Sequence, residues 1–160
     1  MEIFKNTVYQ HSGNPAKTTM SGINETEVGP PPEYGGSPNS LNPEEMLVAS
    51  VNSCLMLVFF HFVRKYEVEI ASYHSDASGK VEKTKNGLRF TNFEVIARVS
   101  LNGSDSAEKI EEIARLAEKY CLVSGSLACP TQFHVEVVEE RNVKMFKKTD
   151  SVGNNPGYKE

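Results

Sequence analysis

One long apolar run, residues 46–63, dominates the pattern of apolar and polar positions along the chain. A helix through this run is apolar on nearly every side, which predicts that it is buried within a larger body. The chain has 160 residues and one such helix, so we expect its own sheet and a second copy of the chain to cover this helix. The polar residues within the run are Ser50, Asn52, Ser53 and His61. Polar groups are costly in hydrocarbon, so we interpret the run as a core helix, although its length reaches the lower limit of a membrane span.

The start of this helix is predicted by the residues that precede the run. Asn42 is a favourable N-cap and Pro43 suits the first helical position. Glu44 and Glu45 then fall in the first turn, where the helix dipole favours anions. We expect the helix to end at about Tyr66.

Short alternating patterns predict strands on both sides of the helix. An Asn-Gly pair at Asn86 and Gly87, a strong hairpin signal, joins the two longest of them. A stretch rich in proline and glycine, residues 29–43, predicts a loop that is neither helix nor central strand. The predicted strands are 3–9, 17–23, 68–83, 88–101 and 133–139.

A second helix is predicted after the hairpin, because residues 105–108 have the spacing of a capping box. Its apolar stripe consists of Ile110, Ile113, Ala114, Ala117, Tyr120 and Cys121. A loop over 122–130 is expected to lead to the last strand. The prediction is an α+β fold with mostly antiparallel strands and two helices, in one domain over residues 1–146 with a polar C-terminal tail over 147–160.

Composition and charge narrow the class of function. The chain has 17 basic and 21 acidic residues and a formal net charge of −4, without a basic stripe, so nucleic acid and membrane are not expected partners. The first residues lack the charged-then-apolar order of a signal peptide, which predicts a cytoplasmic location. The four histidines share no ligand spacing with each other or with the cysteines, so neither a metal nor a cofactor is expected.

The three cysteines are the candidate chemical groups. They are too few for a secreted disulfide scaffold, and in a reducing compartment a cysteine is either reactive or an ordinary core residue. Cys54 lies beside Asn52 and Ser53, so its surroundings are not purely apolar, and Cys121 falls on the inward stripe of the second helix. Cys129 is interpreted as structural.

Two segments resemble motifs of a known family. "NPEEMLVASVNSC" resembles the Asn-Pro-Glu helix start and first cysteine of the OsmC/Ohr proteins, the osmotically inducible and organic hydroperoxide resistance proteins. "AEKYCLVSGSL" resembles the second motif of that family, Cys-Pro-Val-Ser followed by a leucine. The resemblance implies an OsmC-like fold, with antiparallel sheets packed on two long central helices in an intertwined homodimer.

The resemblance also implies an activity, a cysteine-based peroxidase for organic hydroperoxides. Cys54 would be the peroxidatic cysteine and Cys121 the resolving cysteine, and a dithiol such as a lipoyl group or a thioredoxin-like protein would reduce their disulfide. In the family an arginine held by the glutamate, here Glu44, supports the thiolate. The position of Cys121 at a helix C-terminus, where the dipole disfavours an anion, agrees with the resolving role.

The sequence departs from the family pattern in two places. No arginine precedes Arg64, so Lys17 on the second strand is our candidate for the cation. Leu122 replaces the proline of the second motif, which loosens the turn but removes no chemical group.

The missing arginine favours an alternative function. The chain would then be an OsmC-fold protein without fast peroxidase chemistry, binding or sensing a small acyl or thiol ligand. Glu44 also lies ten residues before Cys54, about 15 Å along a helix, so a shared site needs a long bridging side chain or a partner chain.

Overall fold

The structure of the protein, a computed structural model, describes residues 1, 3–10, 14–20, 23–102 and 107–138. The chain divides into two compact units, Met1–Leu47 and Val48–Asn154. The tail predicted over 147–160 lies outside the described residues, as do Asp105 and Ser106 of the predicted capping box.

The first unit contains a three-stranded antiparallel sheet. Strands β1 (Asn6–Tyr9), β2 (Lys17–Met20) and β3 (Ile23–Glu27) follow one another in the sheet in chain order. The sequence pattern predicted the first two as longer strands and did not predict β3. The segment INETE of β3 lacks apolar alternation, and its strand conformation comes from backbone pairing with β2.

The proline-rich loop leads from β3 to the first helix. As predicted, it forms neither an α-helix nor a strand of the sheet, although one short 3₁₀ turn occurs at Pro32–Tyr34. Helix α1 spans Pro43–Lys65. The backbone N–H of Glu45 donates to Asn42 Oδ1 at 2.7 Å, which confirms Asn42 as the cap of this helix.

Helix α1 buries one face within the chain and not all of its circumference. Its buried residues are Val51, Leu55, Phe59, Phe62 and Val63. On another face Leu57 is 63 % exposed, and Ser53 and His61 are exposed too. Among the described residues α1 is also the helix whose length and composition would allow it to cross a membrane. Its polar Asn52 instead accepts a hydrogen bond from Ser75 Oγ at 2.7 Å, as in a core helix beside a sheet.

The second unit contains a long hairpin that forms most of its sheet. Strands β4 (Ile70–Thr84) and β5 (Gly87–Leu101) pair antiparallel along their length. Gly87 has φ of 92°, a left-handed conformation that glycine adopts without steric cost. The hairpin predicted at Asn86 and Gly87 is therefore confirmed.

The third strand of this sheet, β6 (Thr131–Val137), lies parallel to β5. The sequence analysis expected antiparallel sheets, and this pair is the exception. Parallel neighbours need a long crossover, and the helices between β5 and β6 supply it. Arg98 of β5 joins the three strands, since its guanidinium pairs with Asp76 of β4 at 2.9 Å and Glu136 of β6 at 3.7 Å.

The crossover consists of helix α2 (Ala107–Tyr120) and the short helix α3 (Leu122–Gly125). Four residues of the predicted stripe of α2 are buried: Ile110, Ile113, Ala114 and Ala117. Tyr120 does not belong to the buried face, because its side chain is 57 % exposed. The segment 122–130, predicted as a loop, contains α3, which is a single turn and too short to show a helical period.

Gly79 of β4 lies against the stacked rings of Phe90 and Phe93. A Cβ at this position would stand 2.7 Å from Phe90 Cε1 and 3.0 Å from Phe93 Cε1. Phe93 is 1 % exposed and has little room to move. We expect Gly79→Ala to lower the free energy of unfolding by about 1–3 kcal/mol, measured by chemical denaturation at fixed protein concentration.

Gly125→Ala is the matched control for this change, because no atom lies within 4 Å of its added Cβ. Its free energy of unfolding should stay within about 0.5 kcal/mol of the parent. Equal free energies of unfolding for the two variants would show that the rings of Phe90 and Phe93 move aside without a measurable loss of stability.

Candidate active site

Two of the predicted site cysteines are neighbours in the second unit. The thiol of Cys54, in the middle of α1, has the thiol of Cys121 as a neighbour close enough to raise its pKa. Both cysteines are free; Cys54 is partly exposed, whereas Cys121 is 3 % exposed. An external reagent therefore reaches the sulfur of Cys54 more readily than that of Cys121.

The backbone at Cys121 explains how its side chain reaches this position. Helix α2 ends at Tyr120, and Cys121 adopts an extended conformation as the N-cap of α3. Its Sγ accepts the backbone N–H of Ser124 at 3.5 Å. Cys121 directly follows the last residue of α2, in agreement with its predicted position at a helix C-terminus, and it also caps the beginning of α3, which was not predicted. The sequence gives little sign of this, because cysteine is not a typical N-cap residue.

Opposing effects act on the pKa of Cys54. Burial raises this pKa most, and the neighbouring Cys121 thiol raises it further. The backbone N–H groups of Val123 and Leu122 lower it, because they donate hydrogen bonds to the sulfur. The net shift is upward, so fewer Cys54 thiols are ionised at neutral pH than in an ordinary cysteine, and their reactivity should keep rising at more alkaline pH.

The two backbone donors were missed by the sequence analysis. Leu122 was interpreted as a replacement for proline that removes no chemical group, but the leucine in fact adds one. Proline has no backbone N–H, whereas the backbone N–H of Leu122 is one of the groups that lower the pKa of Cys54. The leucine in place of the proline of the motif is the sequence signal that could have indicated this additional backbone N–H.

The other two predicted site residues, Glu44 and Lys17, belong to the first unit. Glu44 lies in the first turn of α1 and borders an open cavity of about 460 Å³, lined mainly by the proline-rich loop with Pro30, Pro31 and Tyr34. The ammonium of Lys17 forms an ion pair with Glu25 of β3, and both side chains are about one-third exposed. The groups that shift the pKa of Cys54 all belong to the second unit. The roles of Glu44 and Lys17 at a thiolate stay predictions.

Cys129 follows α3 and is partly exposed, as a free thiol. The next residue, Pro130, accepts the backbone N–H of Phe93 at 3.0 Å through its carbonyl oxygen. This bond fixes the backbone beside Cys129 at the start of β6. Its interpretation as a structural residue stays a prediction.

A second open cavity, of about 610 Å³, lies between the C-terminal halves of α1 and α2. Leu57, Phe62, Leu116 and Tyr120 contribute its apolar walls, and the rings of Phe62 and Tyr120 are 5.7 Å apart. The cavity borders the exposed face of α1, because Leu57 belongs to both.

Comparison with known proteins places the chain in a family. The family model described as OsmC-like protein matches residues 35–136. The uncharacterized protein YmaD of Bacillus subtilis is 26 % identical over 137 residues, which cover 82 % of this chain and 87 % of that protein.

Two solved structures have the same α+β fold with two sheets. An OsmC-like protein of unknown function from Vibrio cholerae has a TM-score of 0.76 at 21 % identity, covering 85 % of this chain and all of that one (100 %). An organic hydroperoxide resistance protein from Elizabethkingia anophelis has a TM-score of 0.69 at 17 % identity, covering 88 % of this chain and 98 % of that one. With more than half of its length matched by the family model, the chain belongs to the family of OsmC-like proteins.

Proposed function

We propose that the protein is a cysteine-based peroxidase that reduces organic hydroperoxides. The observation that carries this proposal is that the thiol of Cys121 is a neighbour of the thiol of Cys54. The proximity of two cysteines 67 positions apart in the sequence supports a disulfide between them as the oxidised state. One structural relative is named an organic hydroperoxide resistance protein, which supports an organic hydroperoxide as the oxidant.

The proposed chemistry has two oxidative steps. The Cys54 thiolate attacks the terminal oxygen of the hydroperoxide, the O–O bond breaks, and an alcohol leaves after taking up a proton. Cys54 is now a sulfenic acid, which the Cys121 thiol attacks to form a disulfide and release water. Cys54 takes the first step because it is the more exposed of the two residues.

A dithiol, such as a lipoyl group or a thioredoxin-like protein, would complete the cycle. It attacks one sulfur of the disulfide, forms a mixed disulfide, and leaves oxidised while the two cysteines return to thiols. Since Cys121 is 3 % exposed, we expect the mixed disulfide to form on Cys54.

A homodimer is part of the proposal. The exposed Leu57 and the apolar groove beside it leave one face of α1 uncovered within the described chain. A second copy that packs its own α1 against this face would bury it. Such an arrangement would bring the two long helices to the centre of an intertwined dimer.

One observation favours a second function. The raised pKa of Cys54 disfavours the thiolate that peroxide chemistry needs. The protein would then bind or sense a small acyl or thiol ligand, and Cys54 would react with peroxide only slowly.

Rapid mixing of the reduced protein with cumene hydroperoxide tests the proposed activity. We expect one equivalent of peroxide to consume two thiols and to yield a disulfide that a dithiol reverses. Trypsin leaves Cys54 in peptide 18–64 and the other cysteines in peptide 120–141, so a Cys54–Cys121 disulfide joins the two peptides. Cys129→Ser should retain this cross-link and Cys121→Ser should lose it. Thiols that survive excess peroxide for hours would instead support the ligand-binding function.

A further inference from the structure

The cavity at the start of α1 has a rigid wall. Pro30, Pro31 and Pro43 line it, and proline fixes its own backbone φ. The N–H groups of Tyr34 and Gly36 both donate to the carbonyl oxygen of Pro31, at 2.9 and 3.1 Å, and hold the loop in its conformation. A Cβ on Gly36 would overlap the carbonyl oxygen of Pro30, so the loop closes tightly there. The cavity is therefore preformed, and its volume of about 460 Å³ falls in the range of small-molecule sites.

The lining of this cavity is apolar around a single charged group. Ala16, Val28 and the three prolines supply aliphatic surface, and Tyr34 supplies an aromatic ring. The charged group is the carboxylate of Glu44. Among the residues that the structure describes, none forms an ion pair or a hydrogen bond with this carboxylate. A ligand can therefore reach it without displacing a side chain of the described part of the chain.

The segment that builds most of the cavity is acidic. Residues 18–63 contain five glutamates and no lysine, arginine or aspartate. The cation just before this segment, Lys17, forms an ion pair with Glu25. The dipole at the start of α1 is equivalent to about half a positive charge, and the two carboxylates of Glu44 and Glu45 outweigh it. A cleft with one sign of charge concentrates counter-ions, so this cavity favours a cation.

We propose that the cavity binds a small organic amine, with the ammonium group on the Glu44 carboxylate and the apolar part of the amine against Tyr34 and the prolines. An ammonium donates charge-assisted hydrogen bonds to a carboxylate, and the face of an aromatic ring attracts its charge. A metal ion is the poorer occupant because it needs several ligands, and the described residues contain no group of three or more histidine, cysteine or acidic side chains placed to hold one. Amine binding here involves neither Cys54 nor Cys121 and is independent of the proposed peroxidase function.

Isothermal titration calorimetry at pH 7 and low ionic strength tests this binding with hexylamine, hexanol and hexanoate. The three probes share one alkyl chain, and hexylamine is protonated at this pH because alkylamines have a pKa near that of lysine, about 10.4. We expect hexylamine to saturate one site per chain and hexanol to bind about tenfold more weakly, since it lacks the charged donor. Hexanoate should show no saturable binding. Hexylamine that does not saturate at millimolar concentration, or that binds no more tightly than hexanol, would overturn the proposal.

Glu44→Gln locates the ammonium group. The amide keeps the size of the side chain but removes its charge, so the affinity for hexylamine should fall about tenfold. Glu45→Gln is the matched control, because Glu45 lies in the same turn of α1 and does not line the cavity. Each variant removes one carboxylate near the same helix dipole, so a general electrostatic effect would lower both affinities alike. Equal affinities of the two variants would overturn the assignment of Glu44.

Tyr34→Phe and Tyr34→Leu test the aromatic wall. Phenylalanine keeps the ring and should leave the affinity for hexylamine unchanged, whereas leucine loses the cation–π attraction and should weaken binding about threefold. Tyr34 is 60 % exposed, so both variants should fold. Equal affinities of these two variants would overturn the placement of the amine against Tyr34. A blocked lysine that bound more tightly than hexylamine would instead assign the cavity to a basic side chain of a protein partner.

Discussion

Cys54→Ser is expected to abolish the reduction of cumene hydroperoxide, with a loss of at least about a thousandfold in rate. A serine hydroxyl keeps the size of the thiol but is almost never ionised near neutral pH, so the nucleophile of the first step is missing. Steady-state peroxide consumption with a dithiol present measures this loss. Because serine is similar in volume and Cys54 is partly exposed, the variant should remain folded.

The other two cysteines provide the controls. Cys121→Ser should still react once with peroxide and then stop at the sulfenic acid of Cys54, which a dimedone-type reagent can trap. Serine is itself a favourable N-cap, so α3 should persist in this variant. Cys129→Ser should consume peroxide at the same steady-state rate as the parent. Full activity in Cys54→Ser would remove this residue from the proposed first step.

Leu57→Glu is expected to convert the proposed homodimer into monomers. Leu57 is 63 % exposed at the centre of the uncovered face of α1, where a second copy would bury it. An unpaired carboxylate buried in such an interface costs about 3–5 kcal/mol, which weakens association by a factor of at least about a hundred. Sedimentation velocity across a range of protein concentrations measures the change.

Leu88→Glu is the control for this substitution. Leu88 lies near the tip of the hairpin and is 56 % exposed, so the same charge is added to a similarly exposed leucine. This variant should sediment like the parent. A parent that is monomeric at all concentrations, or a Leu57→Glu variant that sediments as a dimer, would contradict the proposed role of this face.

The sequence alone determined those elements whose cause is local. Asn42 predicts the beginning of α1 because an N-cap acts within one turn, and Gly87 predicts the hairpin because a tight turn needs a residue tolerant of positive φ. Four apolar residues of α2 predict its buried face because they recur at the helical period. For the site, the two motifs allowed Cys54 and Cys121 to be singled out through a family resemblance.

Tertiary structure decided whatever depends on partners distant in the sequence. Strand β3 carries almost no apolar pattern and forms because β2 pairs with it, and β6 is parallel to β5 because a helical crossover returns the chain in that direction. The contact between Cys54 and the start of α3 depends on how two helices meet. Backbone N–H groups are present at every residue except proline, so the sequence cannot indicate that those of Leu122 and Val123 lower the pKa of Cys54; that effect exists only in the folded chain.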